Sequence, residues 1–218
     1  MKSDRNIVFL GMMGSGKTSI GFLVSKKLKL DFYDVDHYIE NKLKMKISNI
    51  FKNKGEKFFR EYEEKITLEL MKIKGIVVSL GGGAFLNKNI RNEVLKNHIS
   101  FWLKTKDDIL IQRIRKSAKR PLAYNVSNSD LQNMIKNRNK YYAKAQNKID
   151  CHNKTKKEIV DRILDIICLE KGLSKNTKFA YTKDIISIFE WFENKNINSF
   201  SDCITTGIML FFYSFFAT

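Results

Sequence analysis

Eight consecutive residues, Gly11-Met12-Met13-Gly14-Ser15-Gly16-Lys17-Thr18, fit the pattern G-x-x-x-x-G-K-[ST] without a gap. Glycines let successive backbone N–H groups turn inward around a phosphate, and the start of a following helix adds partial positive charge. Lys17 would then reach the β- and γ-phosphates of a nucleotide, and the Thr18 hydroxyl would sit on Mg²⁺. Gly14, Ser15, Gly16, Lys17, Thr18 and Ser19 are therefore the candidate contacts to ATP. Further along stand two aspartates, Asp34 and Asp36, and a triple glycine, Gly81-Gly82-Gly83. Alone, each has an ordinary explanation: a helix cap with an exposed neighbour, and a turn. Arg60 and Glu63, three apart, have the spacing of a helix-surface ion pair.

The elements that must position these residues follow from hydrophobic period. Ile7-Val8-Phe9-Leu10 is a short β-prone run entering the glycine loop, and the residues from Lys17 to Leu28 repeat at helical spacing. Leu30 to Asp36 reads as a second strand ending in the two carboxylates, with a helix from His37 to Leu43. A helical turn over Ile47 to Phe51 is separated by Gly55 from a longer helix carrying Phe58, Phe59, Arg60, Tyr62, Glu63, Ile66, Leu68 and Leu70. Gly75 to Leu80 is a buried-type strand running into the triple glycine; Asn87 to Lys96 is helical and Ile99 to Leu103 is a strand. Asp107 opens a helix through Arg115, and the polar stretch from Lys116 to Asn128, with the chain's one proline, Pro121, reads as a mobile loop. Ser129 to Lys144 is a helix, Lys148 to Cys151 the last of five strands, and Thr155 to Leu169 an amphipathic helix. Strands alternating with helices predict a parallel sheet covered on both faces, with ligands at the carboxyl ends of the strands. The glycine loop, the aspartates and the triple glycine each follow a strand, so they should share one cleft.

Composition excludes little except by charge. The chain has 218 residues, 43% hydrophobic and 29% charged, and 40 Lys+Arg against 23 Asp+Glu leave a net charge of +17. Such a field would draw a nucleic acid, an anionic membrane or a phosphorylated substrate. The basic residues are spread along the chain, which favours solvated helix faces. Cys151, Cys168 and Cys203 show no ligand or disulfide pattern and read as reduced thiols in the cytoplasm. His37, His98 and His152 lack ligand spacing and read as surface or capping residues. The apolar run after Lys2 and Arg5 is too short for a signal sequence.

Taken together, the phosphate loop, Asp34-Val35-Asp36, Phe59-Arg60-Glu61-Tyr62-Glu63, Gly81-Gly82-Gly83, Arg120-Pro121-Leu122 and Arg138 before Tyr141 resemble shikimate kinase over residues 1 to about 169. The resemblance implies a three-layer α/β/α P-loop kinase fold and transfer of phosphate from ATP, with Mg²⁺, to shikimate, giving shikimate 3-phosphate in aromatic amino-acid biosynthesis. It implies that Arg120 is the lid arginine closing over the phosphates and that Arg113 contacts adenine. Arg60, Arg138 and the backbone of Gly82 would hold the acceptor's carboxylate. Asp36 would orient the acceptor hydroxyls and could take a proton, which makes Lys17, Asp36 and Arg120 the catalytic set. Thr18, and Asp34 through water, would serve the metal. Val35, Ala123 and Lys140 depart from the family pattern, where Ser or Thr, Leu and Pro are common at the respective positions. Two alternatives stay open: a P-loop kinase for another small polyol acid, and a DNA-binding or interaction protein with a vestigial site.

The segment from Leu169 to Asp184 resembles the start of the N-terminal, DNA-clamping domain of tyrosine recombinases over about 30 residues. Its apolar period continues through Ile185, Ile188, Phe189 and Trp191. Nothing matches the recombinase catalytic domain. Lys171, Lys175, Lys178, Lys183 and Lys195 are balanced by Glu170, Asp184, Glu190, Glu193 and Asp202, so DNA binding by the tail is not expected. The stretch from Cys203 to Thr218 is uncharged, and its 16 residues fall short of the ~20 that span a bilayer. The expectation is a kinase domain, 1–169, as a monomer, followed by a short helical tail, 170–218, from a truncated neighbouring reading frame.

Overall fold

The computed structural model describes residues 5–116 and 126–170. The elements run β1 (Ile7–Leu10), α1 (Lys17–Leu28), β2 (Phe32–Asp34), α2 (Val35–Leu43), α3 (Ile47–Met71), β3 (Val77–Ser79), a 3₁₀ turn (Ala84–Leu86), α4 (Lys88–Asn97), β4 (Ile99–Lys104), α5 (Asp107–Lys116), α6 (Asn128–Tyr142), β5 (Asn147–Asp150) and α7 (Lys156–Glu170). The sheet has the order β2-β3-β1-β4-β5, and every pairing is parallel. The chain divides into two units between Asp165 and Ile166, inside α7 and slightly before the expected boundary at Leu169. All five strands belong to the first unit.

Central strands of a parallel sheet are apolar on both faces because helices cover both. β1 is buried at all four residues, and β4 from Ile99 to Leu103. Val8, Leu10, Val78, Leu80 and Trp102 join the main core with Ile39, Phe59, Leu70, Ile90, Leu131 and Ile135 from the helices. On the alternate residues, Phe9 and Phe101 stack with ring centroids 5.7 Å apart. Register sets Phe9 level with Ser79 and Ser79 level with Asp34. The chain therefore leaves β1, β3 and β2 at one edge, where the phosphate loop, the triple glycine and α2 begin.

Two local readings change and one holds. β2 stops at Asp34, and Asp36 lies in the first turn of α2, because the Asp34 carboxylate caps that helix by accepting from the His37 N–H at 3.2 Å. The range given for α3 spans two helical stretches, and Gly55, with φ of 79° and ψ of 168°, breaks the first from the longer second, as expected. His98 is buried, not a surface residue: it ends α4, and its Nδ1 accepts from the Asn6 N–H at 3.3 Å. Burial holds its pKa below the ordinary value, with Arg5 pushing the same way and Glu93 opposing. Among the described residues no helix is long and apolar enough to cross a membrane. The predicted mobile loop falls largely, and the tail almost wholly, outside the described residues.

Candidate active site

The donor half is built from contiguous chain. Gly14 and Gly16 take φ of 80° and 95°, the left-handed region that lets successive N–H groups face a common centre. Lys17, 8% exposed, donates from Nζ to the carbonyls of Gly11 at 2.9 Å and Met12 at 3.0 Å, which holds its ammonium against the loop. Ser15 is buried too, and its Oγ has no hydrogen-bond partner among the described residues. Thr18 and Ser19 are exposed in the first turn of α1. The Thr18 hydroxyl donates to Asp34 Oδ2 at 2.6 Å, so the capping aspartate of α2 also faces the phosphate loop. Arg113 reaches from α5 to donate to the Gly14 carbonyl at 3.0 Å. Arg120 lies outside the described residues.

The acceptor half is assembled from four places in the chain. Arg60 Nη1 donates to Glu63 Oε2 at 2.7 Å, while its Nε and Nη2 donate to Glu56 Oε1, each at 3.2 Å. The Arg60 guanidinium also lies over the rings of Phe59 and Phe51, 5.2 and 5.9 Å from their centroids. A Cβ at Gly83 would stand 2.6 Å from Nη1 and 3.0 Å from Nη2, so any larger residue would have to push this guanidinium aside. A Cβ at Gly81 would collide with Glu63 Oε1 and lie 2.6 Å from Asp36 Oδ1, so both carboxylates press on the face where a side chain would stand. At Gly82 the backbone itself is gripped. Its carbonyl accepts from Arg138 Nη1 at 3.4 Å and from the Tyr142 hydroxyl.

Electrostatics follow from this crowding. Burial pushes the Glu63 carboxyl above the usual range; Asp36 pushes the same way, and Arg60 and Arg138 oppose. For Arg60, burial acts to lower the pKa, but Glu63 and Glu56 outweigh it and the net shift is upward. Burial raises Tyr142 to about 12, so its hydroxyl stays protonated and serves as a donor.

The two halves meet at the methionines of the phosphate loop. A Cβ at Gly82 would lie 3.3 Å from the Met13 backbone nitrogen, and Arg138 Nη1 lies 3.8 Å from Met12 Sδ. Asp36, Arg60, Gly82 and Arg138 are thus gathered beside the loop that carries Lys17 and Thr18. This arrangement can hold an anion between two arginines and keep a carboxylate, Asp36, near the phosphate cradle. Among the described residues no group of three or more His, Cys, Asp or Glu side chains could hold a metal ion. The oxygen pair of Thr18 and Asp34 suits a hard cation that keeps waters and phosphate oxygens as its other ligands.

Two parts of the site were not expected. Glu63 is not half of a surface pair: its side chain is 3% exposed. Tyr142 was not singled out at all. Both carry a signal in the sequence. Phe59, Ile66 and Leu70 form a buried stripe on α3, and Glu63 falls in phase with it. Leu131, Ile135 and Tyr142 do the same on α6, with Arg138 in phase. A charge repeated into a core-facing stripe needs a buried partner.

Comparison with known proteins gives a consistent answer. A family model described as shikimate kinase matches residues 13–168. The shikimate kinase of Bartonella henselae is 39% identical over 162 residues, covering 74% of this chain and 77% of the relative. That of Bacillus subtilis is 38% identical over 172 residues, covering 75% and 89%. Among solved structures, shikimate kinase from Acinetobacter baumannii in complex with shikimate superposes with a TM-score of 0.73 at 31% identity, covering 78% of this chain and 96% of that one. The Aquifex aeolicus enzyme gives 0.68 at 30% identity, covering 77% and 97%.

Proposed function

This chain belongs to the shikimate kinase family, and on that premise we propose that it transfers the γ-phosphoryl group of ATP to a hydroxyl of shikimate, giving shikimate 3-phosphate. The observation that carries the reading is the meeting of the phosphate loop with the Asp36, Arg60 and Arg138 cluster through Met12, Met13 and Gly82.

Phosphoryl transfer asks little covalent chemistry of a protein; it asks for positioning and for cations around the moving charge. Lys17, buried against the loop, meets the β- and γ-phosphates, and the loop N–H groups hold the remaining oxygens. Ser15 and Ser19 would add further contacts to ATP, and Arg113, which donates to the Gly14 carbonyl, would meet adenine. Thr18 and Asp34 would hold Mg²⁺, which neutralises phosphate charge when bound. Arg60 and Arg138 grip the acceptor's carboxylate, with the Gly82 backbone close by. Asp36 accepts from the acceptor hydroxyl, aligns its oxygen with the phosphorus and takes its proton as the bond forms. Glu63 keeps Arg60 in place, and Tyr142 fixes the Gly82 carbonyl. Arg120, outside the described residues, is assigned by the family resemblance to the phosphates, where its cation would limit hydrolysis of ATP by water.

We assign the kinase to residues 1–169, acting in the cytoplasm as a monomer, and treat 170–218 as a separate unit of recombinase-like ancestry. The test is product analysis: incubation with ATP, Mg²⁺ and shikimate should yield ADP and the 3-phosphate ester. Phosphorylation of a different polyol acid in preference to shikimate would reassign the acceptor. Equal shikimate turnover by the full chain and by a chain ending at Leu169 is expected; loss of activity on truncation would make the tail part of the enzyme.

A further inference from the structure

All three nitrogens of the Arg60 guanidinium already donate to carboxylates of the chain itself. Glu63 takes Nη1 at 2.7 Å, and Glu56 takes both Nε and Nη2 through a single oxygen at 3.2 Å. The two acids differ in surroundings. The Glu63 side chain is 3% exposed, whereas that of Glu56 is 67% exposed. A buried partner cannot leave without stranding a charge, but a solvated one exchanges its cation for water at little cost. Glu56 also directly follows the kink at Gly55, where an added Cβ would meet nothing within 4 Å, so the chain is open on that side.

Building on the proposed function, we propose that Glu56 is an internal competitor for Arg60, a carboxylate that occupies the side edge of the guanidinium and that the acceptor's own carboxylate has to displace. Charge around the acceptor points the same way. Asp36, Glu63 and Glu56 set three carboxylates against the two cations Arg60 and Arg138, and removing Glu56 balances them before the anionic acceptor arrives. Glu56 helps to raise the Arg60 pKa, as a genuine partner of that cation must. The consequence is selectivity. An acceptor bearing a carboxylate can replace Glu56 on Arg60, whereas a neutral polyol of the same shape cannot. Glu56 is thus a positioning residue acting through Arg60, and it sets KM for the acceptor at the level where an exposed ion pair yields.

The test compares the full chain with its Glu56→Gln and Glu56→Ala variants, the first keeping shape and the second removing the side chain. Two readouts are used: shikimate-dependent ADP release, and calorimetric binding of shikimate to the ATP-free protein. Glu56→Ala should lower both KM and Kd for shikimate by about two- to fivefold, the range spanned by an exposed ion pair. Glu56→Gln should do the same to a smaller extent, with kcat and the KM for ATP unchanged in both. The advantage of the variants should shrink as salt screens the pair. A Kd that is unchanged or raised in both variants would overturn the proposal and make Glu56 a brace for Arg60 or a favourable charge in the first turn after the kink. Turnover and binding separate this inference from the function it builds on. Shikimate that binds more tightly to the variants without being phosphorylated by any form would leave Glu56 as assigned and sink the kinase reading. Shikimate that binds no form would sink both.

Discussion

The donor and acceptor halves of the site are built in opposite ways. The donor half is a run of consecutive residues whose backbone is assigned the binding, anchored by one buried lysine whose Nζ lies 2.9 Å from the Gly11 carbonyl. The acceptor half is a cluster of side chains from α2, α3 and α6, packed so closely around a glycine turn that a Cβ at Gly81 or Gly83 would displace Glu63 and Asp36 or Arg60. A site made of backbone is specified by local sequence and tolerates change around it. A site made of converging side chains is specified by packing, and each member depends on the others. The two halves should therefore fail differently.

The largest effect is expected on the donor side. Lys17→Met removes the cation proposed to meet the transferring phosphate, and kcat should fall by about 10²–10³-fold, as when a preorganised charge stabiliser is lost. Binding of shikimate to the same variant, measured by calorimetry, should be preserved. A fall in shikimate affinity of similar size would mean that the halves are not separable.

Gly81→Ala is the matching break on the acceptor side. Its methyl group would collide with Glu63 Oε1 and crowd Asp36 Oδ1, at a cost of about 1–3 kcal/mol for overpacking. Loss should appear in KM for shikimate and in kcat, while the KM for ATP stays where it was. A variant that loses ATP and shikimate together would show that the triple glycine supports the phosphate loop as well.

Tyr142→Phe sharpens the comparison. The hydroxyl bonds the Gly82 carbonyl, which Arg138 also approaches, so its removal should cost about 1 kcal/mol in unfolding free energy by urea titration. The kcat/KM for shikimate should fall severalfold in parallel. An unchanged kcat/KM would limit Tyr142 to a role in packing beside Trp102.

The smallest effect lies far from both halves. His98 is buried with its pKa held below the ordinary value of about 6.5, first by burial. The unfolded chain therefore takes up the proton before the folded one does. Its contribution to stability is complete above that ordinary value and is lost as pH falls below it. Melting temperature followed from about pH 8 to about pH 5 should drop on the acid side, and less steeply for His98→Gln; identical slopes would remove His98 from the explanation.

The same contrast governs how much of the molecule is legible in its sequence. The phosphate loop and five strands stand out because each is a contiguous pattern. Asp34 is expected near the metal from sequence, yet its cap on α2 moves Asp36 from the end of a strand into a helix. The acceptor residues Arg60, Gly82 and Arg138 emerge through family resemblance; period alone makes Arg60 half of a surface pair. Glu63 is misread for the same reason, since spacing along a helix does not reveal which face is buried. Its phase with Phe59, Ile66 and Leu70 does reveal it, and Arg138 between Ile135 and Tyr142 repeats that signature. A single glutamate or arginine within an apolar stripe is thus the trace that a side-chain site leaves in sequence.

The most direct test of the two-half site is coupled ADP release from ATP and Mg²⁺ by the full chain, with and without shikimate. If the two halves serve one transfer, release should depend on shikimate, with only slow hydrolysis in its absence. Equal release with and without shikimate, from folded protein that binds ATP, would contradict it.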